Sequence, residues 1–435
     1  MEFPKKERVV IIGGGFAGLN LVKHLDKKRY DVTLIDRNNY HSFPPLFYQI
    51  ASSGLDPGSI SFPFRREMRK IKGRPTYHMG DVKSVDVAAK VVKTQFEAVP
   101  YDKLVIAAGT TNNFFGMTSL ERRVFTLKST AEAIRCRNEI LDRLERASVC
   151  ADLARRRRLL SFVVIGGGPS GVEVAGAIGE MKRYILKREY PNIAQEDLQI
   201  TIVEGTDRLL RTMSEEASRE VVEYLGHLMV NVKLQKTMKS FENDYVTFAD
   251  GEKLFAGMLI WTAGVTGVSF DIDGVPDFKR APGNRFEVDE FNRVKGMDDV
   301  YAVGDIAYMS NEKYPRGYPQ MAQVAIQQAH LLAKQLNAGA FTEAFEYNDK
   351  GSMATVGRNR AVADLNHNIH LYGRPAWFTW MFVHLISILG MRNKLTVLIN
   401  WIWAYVTYST SLRLLIHPSK YPLRPRWGED PNSNS

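Results

Sequence analysis

The sequence predicts an α/β protein with two nested Rossmann-like dinucleotide-binding domains. Two β-rich apolar runs each lead into a glycine turn and a helical pattern, Val9–Gly18 (VVIIGGGFAG) and Phe162–Gly171 (FVVIGGGPSG). Their first glycines, Gly13 and Gly166, lie 153 positions apart, which leaves room for one nucleotide-binding unit inserted within the other. A basic, tryptophan-rich tail begins near residue 371 and predicts a C-terminal helical segment for membrane attachment.

Composition indicates a globular protein of several domains. The chain has 435 residues, 45% hydrophobic and 24% charged, and carries a net charge of +10. Cys136 and Cys150 are too few for a disulfide framework, which indicates a reducing compartment. The run Arg155–Arg158 is interpreted as a solvated helix end rather than a nucleic-acid patch, because no aromatic residues interleave it. No signal or transit peptide precedes the first strand, so we expect the fold to begin in the cytosol, and no metal site is predicted.

The first glycine turn has the spacing of a dinucleotide site. Gly13, Gly15 and Gly18 allow a tight turn, close approach of the backbone to a pyrophosphate, and helix–sheet packing. Asp36 ends the next predicted strand, 18 positions after Gly18, near the spacing of a carboxylate that binds ribose hydroxyls. The candidate binding residues of this unit are Gly13, Gly15, Phe16, Ala17, Gly18, Asp36, Val82, Ala108 and Gly109.

The second turn repeats the pattern with Gly166, Gly168 and Gly171. Its acid is Glu204, which favours the free 2′-hydroxyl of NADH and would repel the 2′-phosphate of NADPH. Arg208 lies close enough in sequence to keep NADPH open as an alternative. The candidate binding residues here are Gly168, Pro169, Ser170, Gly171, Glu204, Ala263 and Gly264.

Two nested dinucleotide units imply two dinucleotides. The economical interpretation is FAD held permanently in the first unit, with NADH visiting the second as co-substrate. We therefore predict an FAD-binding domain formed by residues 1–115 and 276–370, an NADH-binding domain at 155–275, and a membrane-attachment region at 371–435.

Five further segments of the chain carry the pattern of a known family. The specific ones are Ala322–Gln328 (AQVAIQQ) and Gly351–Asp364 (GSMATVGRNRAVAD), and the others are Asn39–Ile50 (NYHSFPPLFYQI), Trp261–Val265 (WTAGV) and Val300–Asp305 (VYAVGD). With these segments the chain resembles, over nearly its whole length, the type II NADH dehydrogenases, which are membrane-attached flavoprotein reductases. The resemblance implies that NADH gives a hydride to FAD and that two electrons pass to a quinone, ubiquinone or menaquinone, without proton pumping.

The resemblance also implies roles for individual residues. Asp305 would contact the flavin's ribityl or phosphate region, Glu173 would lie near nicotinamide and flavin, and Gln323 and Gln327 would line the quinone pocket. The two glutamines are four positions apart and share a helical face. The same spacing is also typical of a polar helix face that only contacts solvent. Glu173 also has a simpler interpretation, as a carboxylate that stabilises a helix start. The segment Ser42–Leu46 departs from the family's usual residues, which leaves that wall of the quinone site unmapped.

The tail carries two apolar runs. Ala376–Leu389 has 14 residues, too few to span a bilayer, and Leu395–Ile416 has 22. Polar residues recur on one helical face of the second run, which favours a helix lying in the membrane interface over a spanning one: Thr396, Asn400, Thr407 and Ser411. We expect a peripheral protein on the cytoplasmic side of the cell inner membrane, and a homodimer that uses the same apolar helices.

Three other functions share parts of this pattern. A sulfide:quinone oxidoreductase needs redox-active cysteines beside the flavin, and Cys136 and Cys150 lie in or beside the helix that connects the units. Another flavin-dependent NAD(P)H reductase, such as a ferredoxin reductase, lacks an aromatic, basic tail. A non-enzymatic NADH-sensing flavoprotein would not need the glutamine pair.

Overall fold

A computed structural model of the chain describes residues 6–276, 278–366, 368–407 and 412–415. Its first sheet has five parallel strands, of which the inner ones are mainly apolar and buried, whereas the edge strand Thr76–Met79 is partly exposed. In spatial order they are Val300–Ala302, Lys103–Ile106, Glu7–Ile12, Tyr30–Asp36 and Thr76–Met79. The edge strand at Val300 comes from late in the chain, so the chain leaves this sheet and returns to it.

The second sheet lies in the intervening part of the chain and is also parallel. Its strands, in spatial order, are Val230–Lys233, Gln199–Val203, Ser161–Ile165 and Met258–Trp261. An antiparallel sheet is formed by the chain between Val230–Lys233 and Met258–Trp261. Its strands are Met238–Glu242, Tyr245–Phe248 and Lys253–Phe255. Two parallel α/β units, one inserted in the other, confirm the predicted fold class.

Smaller sheets complete the body. The strands Asp271–Asp273, Val82–Asp86, Val91–Thr94 and Ala98–Pro100 form one sheet, and Gly351–Thr355, Ala361–Leu365 and Ile369–Tyr372 form another. Three strand pairs are Thr110–Asn112 with Val265–Gly267, Tyr40–Ser42 with Ser61–Pro63, and Phe286–Glu287 with Ala307–Tyr308. The first pair links the ends of the two units' sheets, because its strands follow Lys103–Ile106 of the first sheet and Met258–Trp261 at the edge of the second.

Three helices position the candidate site. The first dinucleotide helix is Phe16–His24 and the second is Pro169–Glu180. The glutamine helix is Ala322–Ala338, and it ends at Gly339 in a left-handed conformation. The remaining helices before the tail are Phe47–Ala51, Phe64–Lys70, Thr130–Ser148, Leu153–Leu159, Leu186–Glu189 and Glu215–His227, with a π-helical turn at Met181–Ile185.

The tail forms two helices, Gly373–Ser387 and Met391–Thr407. The second tail helix begins four residues before the predicted start, and its described part has 17 residues rather than 22. Within the described ranges, no helix combines the length and the apolar character that crossing a bilayer requires. Ser411, which was predicted to continue the polar face, and residues 416–435 lie outside the described part of the chain.

Candidate functional site

The glycines of the first turn have two different roles, close packing of the backbone and approach of a ligand. Gly13 has φ +96°, and an added Cβ would lie 2.5 Å from Ala107 O. A Cβ on Gly18 would lie 1.9 Å from Gly13 O, so this glycine is required for helix–sheet packing. At Gly15, by contrast, an added Cβ would meet none of the described atoms within 4 Å. The second glycine therefore leaves open space at the start of the helix, where free N–H groups favour an anion.

Asp36 lies at the predicted edge of this turn. Its carboxylate accepts hydrogen bonds from Gly14 N and Asn38 N, both at 2.7 Å. Burial raises the pKa of Asp36, and the two backbone N–H groups oppose that rise. The acid that was predicted to hold ribose hydroxyls is thus fixed to the glycine loop itself.

The second turn repeats this geometry. A Cβ on Gly171 would lie 1.9 Å from Gly166 O, whereas one on Gly168 would meet no described atom within 4 Å. Glu204 accepts from Gly167 N at 2.6 Å and from Thr206 N at 2.8 Å. The same arrangement of open glycine and loop-bound acid therefore occurs at the carboxyl edges of both parallel sheets.

The neighbours of the second turn lie where the sequence predicts. Pro169 is the first residue of the second dinucleotide helix, and Ser170 follows it. Ala263 lies under the turn, with its backbone N 2.8 Å from the position of a Gly166 Cβ. Gly264 has φ +77° and is covered by the ring of Phe115. Arg208 donates to backbone oxygens of its own loop, at Arg211 and Met213, so its guanidinium is already engaged.

Two half-buried charged side chains, Asp305 and Lys128, complete the first site, and the sequence predicted only Asp305. Asp305 accepts a hydrogen bond from Thr110 Oγ1 at 3.3 Å, and Lys128 Nζ donates to the same hydroxyl at 3.1 Å. Burial raises the pKa of Asp305, whereas the Lys128 charge lowers it. Gly109, beside Thr110, has φ +68° and open space around an added Cβ. This combination of fixed charge and open space fits the phosphate and ribityl part of a flavin dinucleotide.

Lys128 comes just before the Thr130–Ser148 helix. Ser129 caps that helix by accepting from Glu132 N, and Glu132 accepts in return from Lys128 N at 2.6 Å. This capping box is visible in the sequence as Ser-x-x-Glu and could have located the helix start. It does not reveal that the Lys128 side chain turns toward Asp305.

Glu173 is the fifth residue of the second dinucleotide helix, so it lies one turn further in than predicted. Its side chain is buried, and burial raises its pKa to about 8, against smaller opposing effects of the Thr355 backbone and the Trp380 side chain. The indole Nε1 of Trp380 itself has no hydrogen-bond partner of ordinary geometry among the described residues. Glu173 therefore retains a proton near neutral pH.

A chain of hydrogen bonds connects the surroundings of Glu173 to the tail. Tyr48 and Thr355 share a hydrogen bond between their hydroxyls at 3.0 Å, and Gln49 Nε2 donates to the Tyr48 oxygen at 3.0 Å. Trp401 Nε1 donates to Gln49 Oε1 at 2.9 Å. Tyr48, Gln49 and Trp401 border a cavity of about 160 Å³, lined mainly by aromatic and apolar side chains, between the second dinucleotide helix and the tail. Tyr48, Gln49 and Thr355 lie in the two segments that resemble the family, Asn39–Ile50 and Gly351–Asp364, but the sequence predicted no role for their side chains.

Gln323 and Gln327 share one face of the glutamine helix, as predicted, and both engage backbone groups. Gln323 donates to Gly351 O at 2.9 Å and accepts from Lys350 N at 3.1 Å. Gln327 donates to Asn348 O at 2.9 Å and accepts from Asn348 N at 3.0 Å. The pair thus clamps the segment that leads into the Gly351–Thr355 strand, and direct contact with a quinone stays a prediction.

Two neighbouring glutamines hold the Asp305 turn instead. Gln328 is buried and accepts from Gly304 N at 2.7 Å, and Gln320 Nε2 donates to Asp305 O at 2.9 Å. Gly304 has φ +74°, and a Cβ there would lie 3.1 Å from the Ala325 methyl. The small side chain of Ala325 therefore allows this close approach. Val82, predicted for the first unit, begins the Val82–Asp86 strand and is half-buried.

The fold and the two open glycine turns define an oxidoreductase of the two-dinucleotide class. Residues 7–329 match the pyridine nucleotide-disulphide oxidoreductase family, and residues 350–407 match the NDH2 C-terminal domain. The chain is 32% identical over 420 residues to the type II NADH:quinone oxidoreductase Ndh of Mycobacterium tuberculosis, covering 92% of this chain and 88% of the relative. It belongs to the type II NADH:quinone oxidoreductase family, which confirms the resemblance found in the sequence.

Two solved structures share the fold. NDH2 from Plasmodium falciparum, in a complex with NADH, superposes with a TM-score of 0.85 at 23% identity, covering 95% of this chain and all of that one. The sulfide:quinone oxidoreductase from Aquifex aeolicus gives a TM-score of 0.69 at 18% identity, with coverage of 95% and 96%. The fold alone therefore does not distinguish these two classes of enzyme, whereas the family matches in the sequence do.

Proposed function

We propose that this protein oxidises NADH and reduces a membrane quinone through FAD. The observation that carries this proposal is the presence in one chain of two glycine turns, each with open space at its second glycine and a carboxylate fixed to its loop. One turn suits a resident dinucleotide, because Asp305 and Lys128, both half-buried, lie beside it. The other suits a dinucleotide that enters and leaves.

The first unit is the FAD site in this proposal. Gly15 and Gly109 leave room for the pyrophosphate and ribityl chain, and Asp36 holds the ribose hydroxyls. Lys128 places a positive charge beside Asp305, where it can balance phosphate charge. A flavin held by these residues would supply two-electron transfer between NADH and quinone. The FAD domain then comprises residues 1–115 and 276–370, and the NADH domain residues 155–275.

The second unit takes NADH rather than NADPH. Glu204 presents a negative charge where a 2′-phosphate would lie, and Arg208 is occupied by its own loop. A 2′-hydroxyl can donate to Glu204 without any charge repulsion. Ala263, Gly264 and the open face of Gly168 complete the site.

The quinone end lies at the cavity between the second dinucleotide helix and the tail. Quinone reduction consumes two protons, and Glu173 holds one near neutral pH because its pKa is raised to about 8. Thr355 and Tyr48 connect the surroundings of Glu173 to Gln49 at the cavity wall. Glu173 therefore serves as a proton-holding group, positioned by the Gly351–Thr355 strand.

The tail attaches the protein to the membrane surface. The second tail helix packs Val397 and Trp401 against the body, and its outer face is apolar, with Ile399, Trp403 and Val406 exposed at 63%, 63% and 72%. A water-facing helix normally shows the opposite pattern, so this face is suited to lipid. Its basic, acid-free sequence favours the anionic cytoplasmic leaflet of the inner membrane. The same apolar face can also support a homodimer.

The sulfide:quinone alternative lacks support from the cysteines. Cys136 and Cys150 are free thiols, and burial raises the pKa of Cys136 to about 12, which removes its nucleophilic form at neutral pH. Cys136 lies on the buried face of the Thr130–Ser148 helix and packs in an apolar core cluster.

The test is a steady-state assay of the purified protein. NADH should bleach the flavin absorbance rapidly, and a soluble quinone should restore it, with kcat/KM for NADH at least about tenfold above that for NADPH. A protein that stayed colourless after incubation with FAD would contradict the proposal. Reduction by sulfide but not by NADH would assign it to the alternative function.

A further inference from the structure

A second, larger cavity lies away from both glycine turns. It has a volume of about 610 Å³ and separates the start of the second tail helix from the Phe64–Lys70 helix and the loop before it. We propose that it binds the phosphate headgroup of an anionic phospholipid whose acyl chains lie on the exposed face of the second tail helix. This inference rests on the proposed attachment of the tail to a membrane and names the lipid that it selects.

The charges around the cavity leave two guanidinium groups available. Arg66 and Arg392 both line it, both are exposed, and neither side chain has an ion-pair or hydrogen-bond partner among the described residues. The carboxylates in the same wall are occupied, because Glu67 pairs with Lys70 and Asp56 accepts from Gly58 N at 2.8 Å. Guanidinium groups bind phosphate oxygens through paired N–H donors, so two unpaired arginines in one cavity favour such an anion.

The cavity is a built feature that joins distant parts of the chain. Asn393 Nδ2 donates to Gly58 O at 3.2 Å and to Ser59 O at 3.1 Å, which fixes the tail against the loop. Arg392, which precedes Asn393, is thereby held in the wall of the cavity that Arg66 also lines. The second tail helix begins at Met391 without an acidic residue in its first turn, so its helix dipole adds to the positive potential.

An apolar stripe leads away from the mouth of the cavity. Met391 lines the cavity and is 71% exposed, and the exposed residues Leu395, Ile399, Ile402 and Val406 continue the same helical face. The helix of 17 residues is roughly 25 Å long, which is comparable with a phospholipid acyl chain. A soluble phosphate would use only the arginines, whereas a phospholipid would use the arginines and the stripe together. This continuity is the reason to assign the cavity to a lipid.

The test compares binding of the full-length flavoprotein to two kinds of vesicle. One kind contains phosphatidylcholine alone, and the other also contains phosphatidylglycerol. The double variant Arg66→Gln/Arg392→Gln should lose most of the extra affinity for phosphatidylglycerol vesicles, about tenfold or more, because each arginine near an anionic surface contributes about 1 kcal/mol. Its binding to phosphatidylcholine vesicles and its NADH oxidation with a soluble quinone in detergent should match those of the wild type.

The matched control is Arg122→Gln/Arg155→Gln, which removes the same charge from exposed arginines outside the cavity. It should keep most of the preference for phosphatidylglycerol. An equal loss in both double variants would show diffuse charge attraction and overturn the cavity site. Stabilisation of the wild type by inorganic phosphate, without any preference for phosphatidylglycerol, would assign the cavity to a soluble anion and overturn the lipid.

The same experiment separates this inference from the proposals on which it rests. A wild-type protein that bound neither vesicle would remove the membrane attachment and the lipid site together, while leaving NADH:quinone activity in detergent as an independent result. Absence of that activity with intact selective vesicle binding would reject the proposed reaction and retain the lipid site.

Discussion

The hydroxyl of Tyr48 hydrogen-bonds the hydroxyl of Thr355 at 3.0 Å, across 307 positions of sequence. Tyr48 belongs to the short Phe47–Ala51 helix within the first unit, and Thr355 ends a strand in the NDH2 C-terminal domain. Both side chains are buried, and Glu173 of the second unit lies against the Thr355 backbone. Three separate parts of the chain therefore meet at this pair.

Removal of the Tyr48 hydroxyl should cost stability. In Tyr48→Phe the buried Thr355 hydroxyl and the Gln49 amide both lose a partner, so we expect the free energy of unfolding to fall by about 1–3 kcal/mol. Urea unfolding of the FAD-loaded protein measures this change. Tyr245→Phe, at an exposed position, is the control and should change stability by less than about 0.5 kcal/mol. Equal effects of the two substitutions would contradict the role of this hydrogen bond.

Glu173 should make stability depend on pH in a definite direction. Its pKa in the folded chain, about 8, exceeds its usual value, so the folded state binds the proton more tightly than the unfolded state does. The stability that the protonated Glu173 gives the folded state is fully present below the usual pKa of a glutamate, and it is lost as the pH rises through 8. Glu173→Gln cannot lose this proton, and its Tm relative to the wild type should therefore rise from about pH 5 to about pH 9.

Scanning calorimetry across that range measures the difference. Glu242→Gln, at an exposed position, should show a constant Tm difference. A pH-independent difference for Glu173→Gln would refute the raised pKa. The same variant should retain its FAD but turn over more slowly with quinone, and normal turnover would exclude Glu173 from the mechanism.

The glycines should separate into packing and ligand-approach positions. Gly18→Ala places a methyl group 1.9 Å from Gly13 O and should destabilise the fold. Gly15→Ala and Gly168→Ala place methyl groups in open space at backbone angles that alanine tolerates, so the fold should survive. We expect Gly15→Ala to lose FAD, and Gly168→Ala to keep FAD while its KM for NADH rises about tenfold or more.

Absorbance spectra, Tm values and initial rates distinguish these outcomes. The first and second units serve as controls for each other, because each alanine should affect only its own nucleotide. Loss of FAD from Gly168→Ala, with full retention by Gly15→Ala, would reverse the proposed assignment of the two sites.

Glu204 should determine the choice between NADH and NADPH. Glu204→Gln removes the charge that would repel a 2′-phosphate, and a glutamine oxygen can still accept from one of the two loop N–H groups, at Gly167 or Thr206. We expect the ratio of kcat/KM for NADH to that for NADPH to fall about tenfold, with FAD content unchanged. Asp207→Asn, an exposed acid in the same loop, removes an equal charge and should leave the ratio within about twofold. If both variants changed the ratio alike, general electrostatics rather than Glu204 would set the preference.

The features that the sequence predicted are local in the chain. The spacing of Gly13, Gly15 and Gly18 and the acid at Asp36 follow from one strand–turn–helix unit, so a short segment contains the whole pattern. Lys128 could not be found in this way, because its partner Asp305 is brought to it by the return of the chain to the first sheet. Long-range packing of that kind leaves no periodic signal.

The tail and the glutamine pair show the same limit. Apolar runs located both tail helices, yet the Gly390 break and the packing of Trp401 against Gln49 set where they begin and which face is exposed. The i, i+4 spacing placed Gln323 and Gln327 on one face, but only the fold reveals that Lys350 and Gly351 lie opposite. A helical pattern gives the direction of a side chain relative to its own helix and not its partner.

Gln323 should therefore affect quinone kinetics through the backbone that it holds. Gln323→Ala removes two hydrogen bonds to the segment that begins the Gly351–Thr355 strand, and that strand positions Thr355 beside Tyr48 and Glu173. We expect KM for quinone to rise about threefold to tenfold and stability to fall by about 1–3 kcal/mol, while KM for NADH stays constant. Asn337→Ala is a matched control, because Asn337 also donates to one backbone oxygen, at His24, and accepts from one backbone N–H, at Asp26, and it does not line the cavity. It should lose comparable stability with no change in KM for quinone. A rise in both variants would mean that general destabilisation, rather than the position of the strand, weakens quinone binding.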